Sequence, residues 1–138
     1  MKKTVIAVIG CGRIANNAHF PAFAQMDDLI EIKYACDLIL EKAEAAKKNH
    51  PKIEQVIEDY HVALNDPEVD AVFVLTPNYM HYVVTMDSLR AGKHVFCEKP
   101  LCRTEVELRA FVAQAKRGAE LFTGMTLDDA LCDRVTAQ

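Results

Sequence analysis

The sequence predicts an α/β protein built on a doubly wound parallel sheet, a Rossmann-type fold. Three observations predict it. Short apolar strands alternate with helical patterns, a glycine turn joins the first strand to the first helix, and no repeat, linker or low-complexity stretch interrupts the 138 residues. Six strands are expected in the order 3-2-1-4-5-6, with right-handed crossovers and a ligand crevice at the carboxyl ends of the first and fourth.

Each element follows from its residues. The first strand, 4–9, is the apolar run Val5-Ile-Ala-Val-Ile9, as expected of a strand buried on both faces. It runs into Gly10-Cys-Gly-Arg-Ile-Ala15 and a helix that starts near Gly12 and is interrupted by Pro21. The second strand covers 31–36, where Ile30, Ile32 and Tyr34 alternate. The second helix covers 38–48, with Ile39, Ala43 and Ala46 on one face, and Pro51 helps to stop it. A short strand at 55–57 leads to a short helix at 60–64 and the turn Asn65-Asp-Pro-Glu68. Ala71-Val-Phe-Val-Leu75 is the next buried strand. A helix at 79–91 follows, with Asn78 as its N-cap and Gly92 as its stop. After a strand at 93–97 comes a helix at 105–116, opened by a Thr104–Glu107 capping box and burying Leu108, Phe111, Val112 and Ala115. Gly118 ends it, and a strand at 120–123 completes the sheet. The dinucleotide-type domain is thus 1–124. The tail, 125–138, reads as a short helix with Leu127, Leu131 and Val135 along one face.

Composition narrows the class. With 51% hydrophobic and 26% charged residues the chain is an ordinary globular protein. Its net charge of −4 and scattered Lys and Arg exclude a basic nucleic-acid footprint. No apolar run approaches the ~20 residues of a membrane span, and the N-terminus is not a signal peptide. Five cysteines without C-x-x-C spacing point to reduced, mostly buried thiols in a cytoplasmic protein and to no metal site.

The glycine turn carries the first chemistry. Gly10 permits a tight exit from the strand, Gly12 lets the backbone approach a pyrophosphate, and Ala15 permits close helix–strand packing. Cys11, Arg13 and Ile14 complete a turn whose helix start offers free N–H groups to phosphate. An ordinary strand–turn–helix corner is the alternative. Asp37 ends the second strand, where a carboxylate accepts ribose hydroxyls and repels a 2′-phosphate; this favours NAD over NADP. Helix capping is the competing role for Asp37. Thr76-Pro77-Asn78 places polar groups at the exit of the fourth strand, or is a simple strand exit. His81, one turn into the helix, is a candidate whose plainer role is packing. Glu98 and Lys99 end the fifth strand at the crevice, where Lys99 can bind a substrate oxygen during hydride transfer. A solvated Glu–Lys pair is the alternative. The Lys99–Pro100 bond is a candidate for the cis form.

Taken together, these segments resemble the glucose–fructose oxidoreductase, inositol dehydrogenase and rhizopine-catabolism (Gfo/Idh/MocA) family in its N-terminal domain. The segments are Gly10-Cys-Gly-Arg-Ile-Ala15 with His19-Phe-Pro-Ala-Phe23, Cys36-Asp37, Asp66-Pro-Glu-Val-Asp70, Thr76-Pro-Asn-Tyr-Met-His81 and Gly92-Lys-His-Val-Phe-Cys-Glu-Lys-Pro100. The resemblance implies an NAD(P)-dependent oxidoreductase acting on sugars, cyclitols or related polyols. It places Gly10, Gly12 and Ala15 at the pyrophosphate and Asp37 at the adenosine ribose. Thr76, Asn78, His81 and Glu98 line the cofactor, and Lys99 meets both nicotinamide and substrate. It also implies a second, substrate domain that supplies a catalytic His, whereas the last histidine here is His94. The first expectation is therefore a shortened enzyme lacking that domain. The second is a standalone NAD-binding or sensing module. The third is a small complete enzyme with a substrate pocket at a dimer interface. Edge-strand residues Leu121 and Phe122 and the tail stripe point to two-fold self-association, with fold-back of the tail on the same domain an equal alternative.

Overall fold

The computed structural model describes residues 2–115 and the strand at 121–123. Strands β1 (Thr4–Ile9), β2 (Ile30–Cys36), β3 (Gln55–Ile57), β4 (Ala71–Val74), β5 (His94–Cys97) and β6 (Leu121–Thr123) form one parallel sheet in the order β3-β2-β1-β4-β5-β6. Helices α1 (Phe20–Ala24), α2 (Leu40–Asn49), α3 (His61–Leu64), α4 (His81–Arg90) and α5 (Glu105–Ala115) connect them. The strand order is the expected one. β1 pairs with both β2 and β4, so the chain changes direction across the sheet there and a crevice opens at their carboxyl ends.

Two apolar layers explain why β1 has no polar position after Thr4. Ile6 and Val8 enter one layer with Phe20, Phe23, Ala43 and Ile53. Val5, Ala7 and Ile9 enter the other with Val72, Val84, Leu89 and Phe111. Side chains alternate across a strand, so helices on both faces require apolar residues at every position.

Several boundaries differ from the sequence reading, each for a local reason. The first helix winds continuously over 13–24, and Pro21 does not interrupt it. Residues Ala15–His19 form a π turn in which the Phe20 N–H donates to the Ala15 carbonyl. Pro21 sits at the start of α1 and has no N–H to return to the preceding turn; the wider ring accommodates it. α2 begins at Leu40 because Asp37 Oδ1 accepts the Ile39 N–H at 2.9 Å and keeps Leu38 and Ile39 outside the helix. Ile39, expected on the buried face, is 51% exposed. Asn78 is not an N-cap; it opens a 3-10 turn, Asn78–Met80, and α4 starts at His81. Gly92, at φ +79°, does end α4. The capping box forms with one change: Thr104 Oγ1 accepts the Glu107 N–H at 3.1 Å, while Glu107 Oε1 accepts from Arg103. Gly118 and the tail at 125–138, with Leu127, Leu131 and Val135, lie outside the described residues.

The amino ends of the strands are tied by the Asp66–Asp70 segment. Asp66 Oδ2 accepts from the Tyr34 hydroxyl at 2.7 Å and pairs with Lys33 at 2.7 Å. Those contacts, Lys33 foremost, hold its carboxyl down at about 2. Asp70 Oδ2 accepts the Val5 N–H, and the buried Lys93 donates to the Asp66 carbonyl. Lys93 of the Gly92-Lys-His segment is thus a tie at the end of the sheet remote from the crevice.

Candidate functional site

At the end of β1 the chain passes directly under the end of β4. Gly10 adopts φ +103°, and a Cβ there would lie 2.6 Å from the Leu75 carbonyl carbon and 2.8 Å from the Thr76 nitrogen. Backbone conformation and space both require glycine. Gly12 differs: a Cβ on it would meet nothing within 4 Å. Its Cα borders a cavity of about 420 Å³ at the carboxyl ends of β1, β2 and β4. A larger cavity, about 540 Å³, lies between α1 and the α2–β3 connection and holds none of the expected site residues.

Of those residues, Gly10, Gly12, Arg13, Asp37, Thr76 and Pro77 line the crevice cavity. Asp37 is fixed by two backbone donors, Cys11 N–H to Oδ2 at 3.0 Å and Ile39 N–H to Oδ1 at 2.9 Å. Each carboxylate oxygen keeps acceptor capacity for a hydroxyl. Asp37 thus organises the local backbone and presents a carboxylate; it does not cap α2, whose N-cap is Ile39. The Cys11 side chain is buried, its Sγ 3.5 Å from the Cys36 carbonyl. Burial, with the Asp37 charge adding to it, pushes that thiol up to about 12. It stays protonated near neutral pH and brings no negative charge into the turn. Ala15 is fully buried against the sheet and Ile14 is 40% exposed.

Across the cavity, Thr76 Oγ1 is buried and has no hydrogen-bond partner among the described residues. A buried hydroxyl without a partner is costly, and this one belongs to a residue of the cavity wall. Asn78 is exposed. His81 is only 2% exposed and lies beneath the crevice. Its Nδ1 is 2.6 Å from the Pro100 carbonyl and its Nε2 2.8 Å from the Thr76 carbonyl. Carbonyls only accept, so both bonds hold together when both nitrogens carry protons. His81 therefore ties the exits of β4 and β5 together and is turned away from the cavity. Glu98 and Lys99 stand at the exit of β5. The Glu98 N–H donates to the Val74 carbonyl at 3.0 Å, Lys99 is exposed, and Lys99–Pro100 is cis.

The sequence reading missed much of the cavity wall. Leu38, Ile39, Lys42, Glu58, Tyr60 and Tyr79 all line it. Tyr60 donates to Asp87 Oδ2 at 2.5 Å, and burial followed by that bond pushes its phenol well above the usual range. The available signal was topological: residues 58–60 follow β3, and the carboxyl ends of strands converge on the crevice. His19, quoted above only within a motif, lies 2.9 Å by Nε2 from Glu98 Oε2.

The chain fits a dinucleotide on three counts. There is open space at Gly12, a helix start beyond it, and a backbone-fixed carboxylate in the cavity wall. A doubly wound sheet carrying this set at its switch point is a dinucleotide-binding α/β domain. The chain belongs to the Gfo/Idh/MocA oxidoreductase family: the model described as "Oxidoreductase family, NAD-binding Rossmann fold" matches residues 4–124. It is 34% identical over 98 residues to the inositol 2-dehydrogenase/D-chiro-inositol 3-dehydrogenase of Lactiplantibacillus plantarum, covering 71% of this chain and 28% of that protein. The 3-ketoreductase KijD10 of Actinomadura kijaniata, solved with NADP and TDP-benzene, superimposes with a TM-score of 0.79 at 30% identity, covering 89% of this chain and 37% of that one. The WlbA dehydrogenase of Bordetella pertussis, solved with NADH and UDP-GlcNAcA, gives 0.80 at 28% identity, covering 88% and 35%. The chain thus spans about a third of the length of these proteins.

Among the described residues, no helix is long and apolar enough to cross a membrane. Cys11, Cys36 and Cys97 are buried free thiols, and Cys102 is half-buried.

Proposed function

We propose that residues 1–124 bind NAD(H) in the crevice and serve as the cofactor domain of an oxidoreductase. The reaction moves hydride between the nicotinamide and a sugar, cyclitol or related polyol. The observation that carries this reading is Asp37, fixed by the Cys11 and Ile39 amides in the wall of the cavity that Gly12 and Thr76 also line. In this reading the Gly10–Ala15 turn holds the pyrophosphate and Asp37 accepts the adenosine ribose hydroxyls. Leu38, Ile39 and Tyr79 flank the base. When bound, the dinucleotide supplies a hydride donor or acceptor. Lys99 meets the substrate oxygen and moves its proton, while His81 holds the Thr76 and Pro100 carbonyls in place beneath it.

NAD is favoured over NADP because the Asp37 charge repels a 2′-phosphate. Arg13 and Lys42 in the same wall work in the opposite direction. Calorimetric titration tests the reading: NAD should bind with a Kd on the order of 0.1–1 mM, and the absence of any heat at millimolar NAD overturns it. Buried thiols support a cytoplasmic location. β6 is an edge strand of the sheet, which supports two-fold self-association. Light scattering showing a monomer at micromolar concentration removes that part of the proposal.

A further inference from the structure

The π turn that follows the glycine turn ends at His19, and its ring sits on three phenylalanines. The ring centroids lie 5.5 Å from Phe96 and 6.1 Å from both Phe23 and Phe73. Phe73 and Phe96 belong to the neighbouring strands β4 and β5, in register with each other. On this aromatic bed, Nε2 lies 2.9 Å from Glu98 Oε2, with side-chain exposures of 15% and 18%. Glu98 is fixed at its backbone by Val74 and at its carboxylate by His19.

The Glu98 carboxylate is partly buried, and one side-chain donor, His19, selects among its rotamers. That donor comes from the middle of the first helix, not from β5. The glycine turn and the end of β5 are thereby linked through one hydrogen bond. Lys99 is the next residue along the chain.

We infer that His19 is a positioning residue for the nicotinamide half of the cofactor: by holding Glu98 it sets the carboxylate beside Lys99 that this half meets. The inference rests on the proposed placement of the dinucleotide in the crevice. It distinguishes two parts of that ligand. The adenosine half lies against Asp37 and Tyr60, whereas the partners of His19 are Glu98 and the three phenylalanines. The nicotinamide half lies toward Glu98 and Lys99.

The test compares NADH with ADP-ribose, which carries the adenosine half without nicotinamide, on the wild-type chain and on His19→Leu, His19→Gln and Glu98→Gln. Leucine keeps apolar packing and removes the donor; glutamine retains a donor. His19→Leu should weaken NADH binding about five- to tenfold while ADP-ribose stays within about twofold. His19→Gln should recover most of the loss. Adding His19→Leu to Glu98→Gln should cost little more than Glu98→Gln alone. Equal losses for both ligands would make His19 a general stability residue and overturn the inference. So would NADH binding unchanged in His19→Leu. Should His19→Leu fail to fold, His19→Gln and Glu98→Gln decide by the same NADH-to-ADP-ribose comparison. A wild-type chain that binds neither ligand removes the crevice reading itself, which separates that failure from failure of the His19 role.

Discussion

Replacing each glycine of the turn by alanine separates folding from binding. In Gly10→Ala the new methyl would sit 2.6 Å from the Leu75 carbonyl carbon and oxygen and 2.8 Å from the Thr76 nitrogen. These are backbone atoms of the strand exit, so relief requires moving β4 away from β1. Alanine at φ +103° adds about 1–2 kcal/mol of backbone strain, and forced overpacking adds about 1–3 kcal/mol. The sum, about 2–5 kcal/mol, is a large share of the roughly 5–15 kcal/mol that holds a domain folded. For a chain of 138 residues it corresponds to a melting temperature lower by about 6–15 °C. Gly12→Ala places its methyl in open space and should melt within about 2 °C of wild type. That methyl occupies the approach to the turn, so NADH affinity should fall about tenfold or more. Calorimetric melting of both variants, followed by NADH titration, reads the contrast. Gly10→Ala melting with wild type, or Gly12→Ala falling as far as Gly10→Ala, would show that the two glycines have been assigned the wrong roles.

Three further outcomes are expected. Asp37→Ser should narrow the preference for NAD over NADP in paired titrations, and should lower the melting temperature by a few degrees because the Cys11 and Ile39 amides lose their acceptor. An unchanged ratio would make Asp37 a backbone anchor alone. Lys99→Ala should melt within about 2 °C of wild type, since an exposed lysine contributes under about 1 kcal/mol; a large drop would make Lys99 structural and weaken its place at the substrate. Asp66, lowered from 3.8 to about 2 by Lys33, Tyr34 and the Glu68 amide, contributes stability that is present above 3.8 and lost as pH falls through about 2. The melting-temperature gap between wild type and Asp66→Asn should therefore be widest above pH 4 and close toward pH 2; a gap independent of pH would contradict the assignment.

The strand order and the crevice were legible because they follow from long-range pattern. Apolar runs mark strands, and the place where the order reverses fixes the ligand site. What escaped the sequence was decided by single side-chain contacts. Asp37 and the Ile39 amide moved the start of α2 by two residues. Asn78 has the residue type of an N-cap, but its 3-10 turn delays α4 to His81. His81 carries the residue type of a ligand contact, yet two carbonyls converge on its ring from segments 19 and 5 residues away along the chain. The pairing of His19 with Glu98 spans 79 residues, and no local pattern encodes it.

The π turn at Ala15–His19 also sets the phase of everything after it. The wide turn absorbs one residue that would otherwise rotate everything after it by about 100°. Phe20 and Phe23, 1% and 4% exposed, and the His19 ring all take their directions after that step. Against a relative with an unbulged helix, the two halves present the same faces, and the proper correspondence is a one-residue gap within 15–19, not a run of substitutions. Editing follows the same rule. Deleting Asn17 should let the turn close to an α repeat with both phenylalanines still on the sheet, whereas one more inserted residue, which no wide turn absorbs, would rotate them off it.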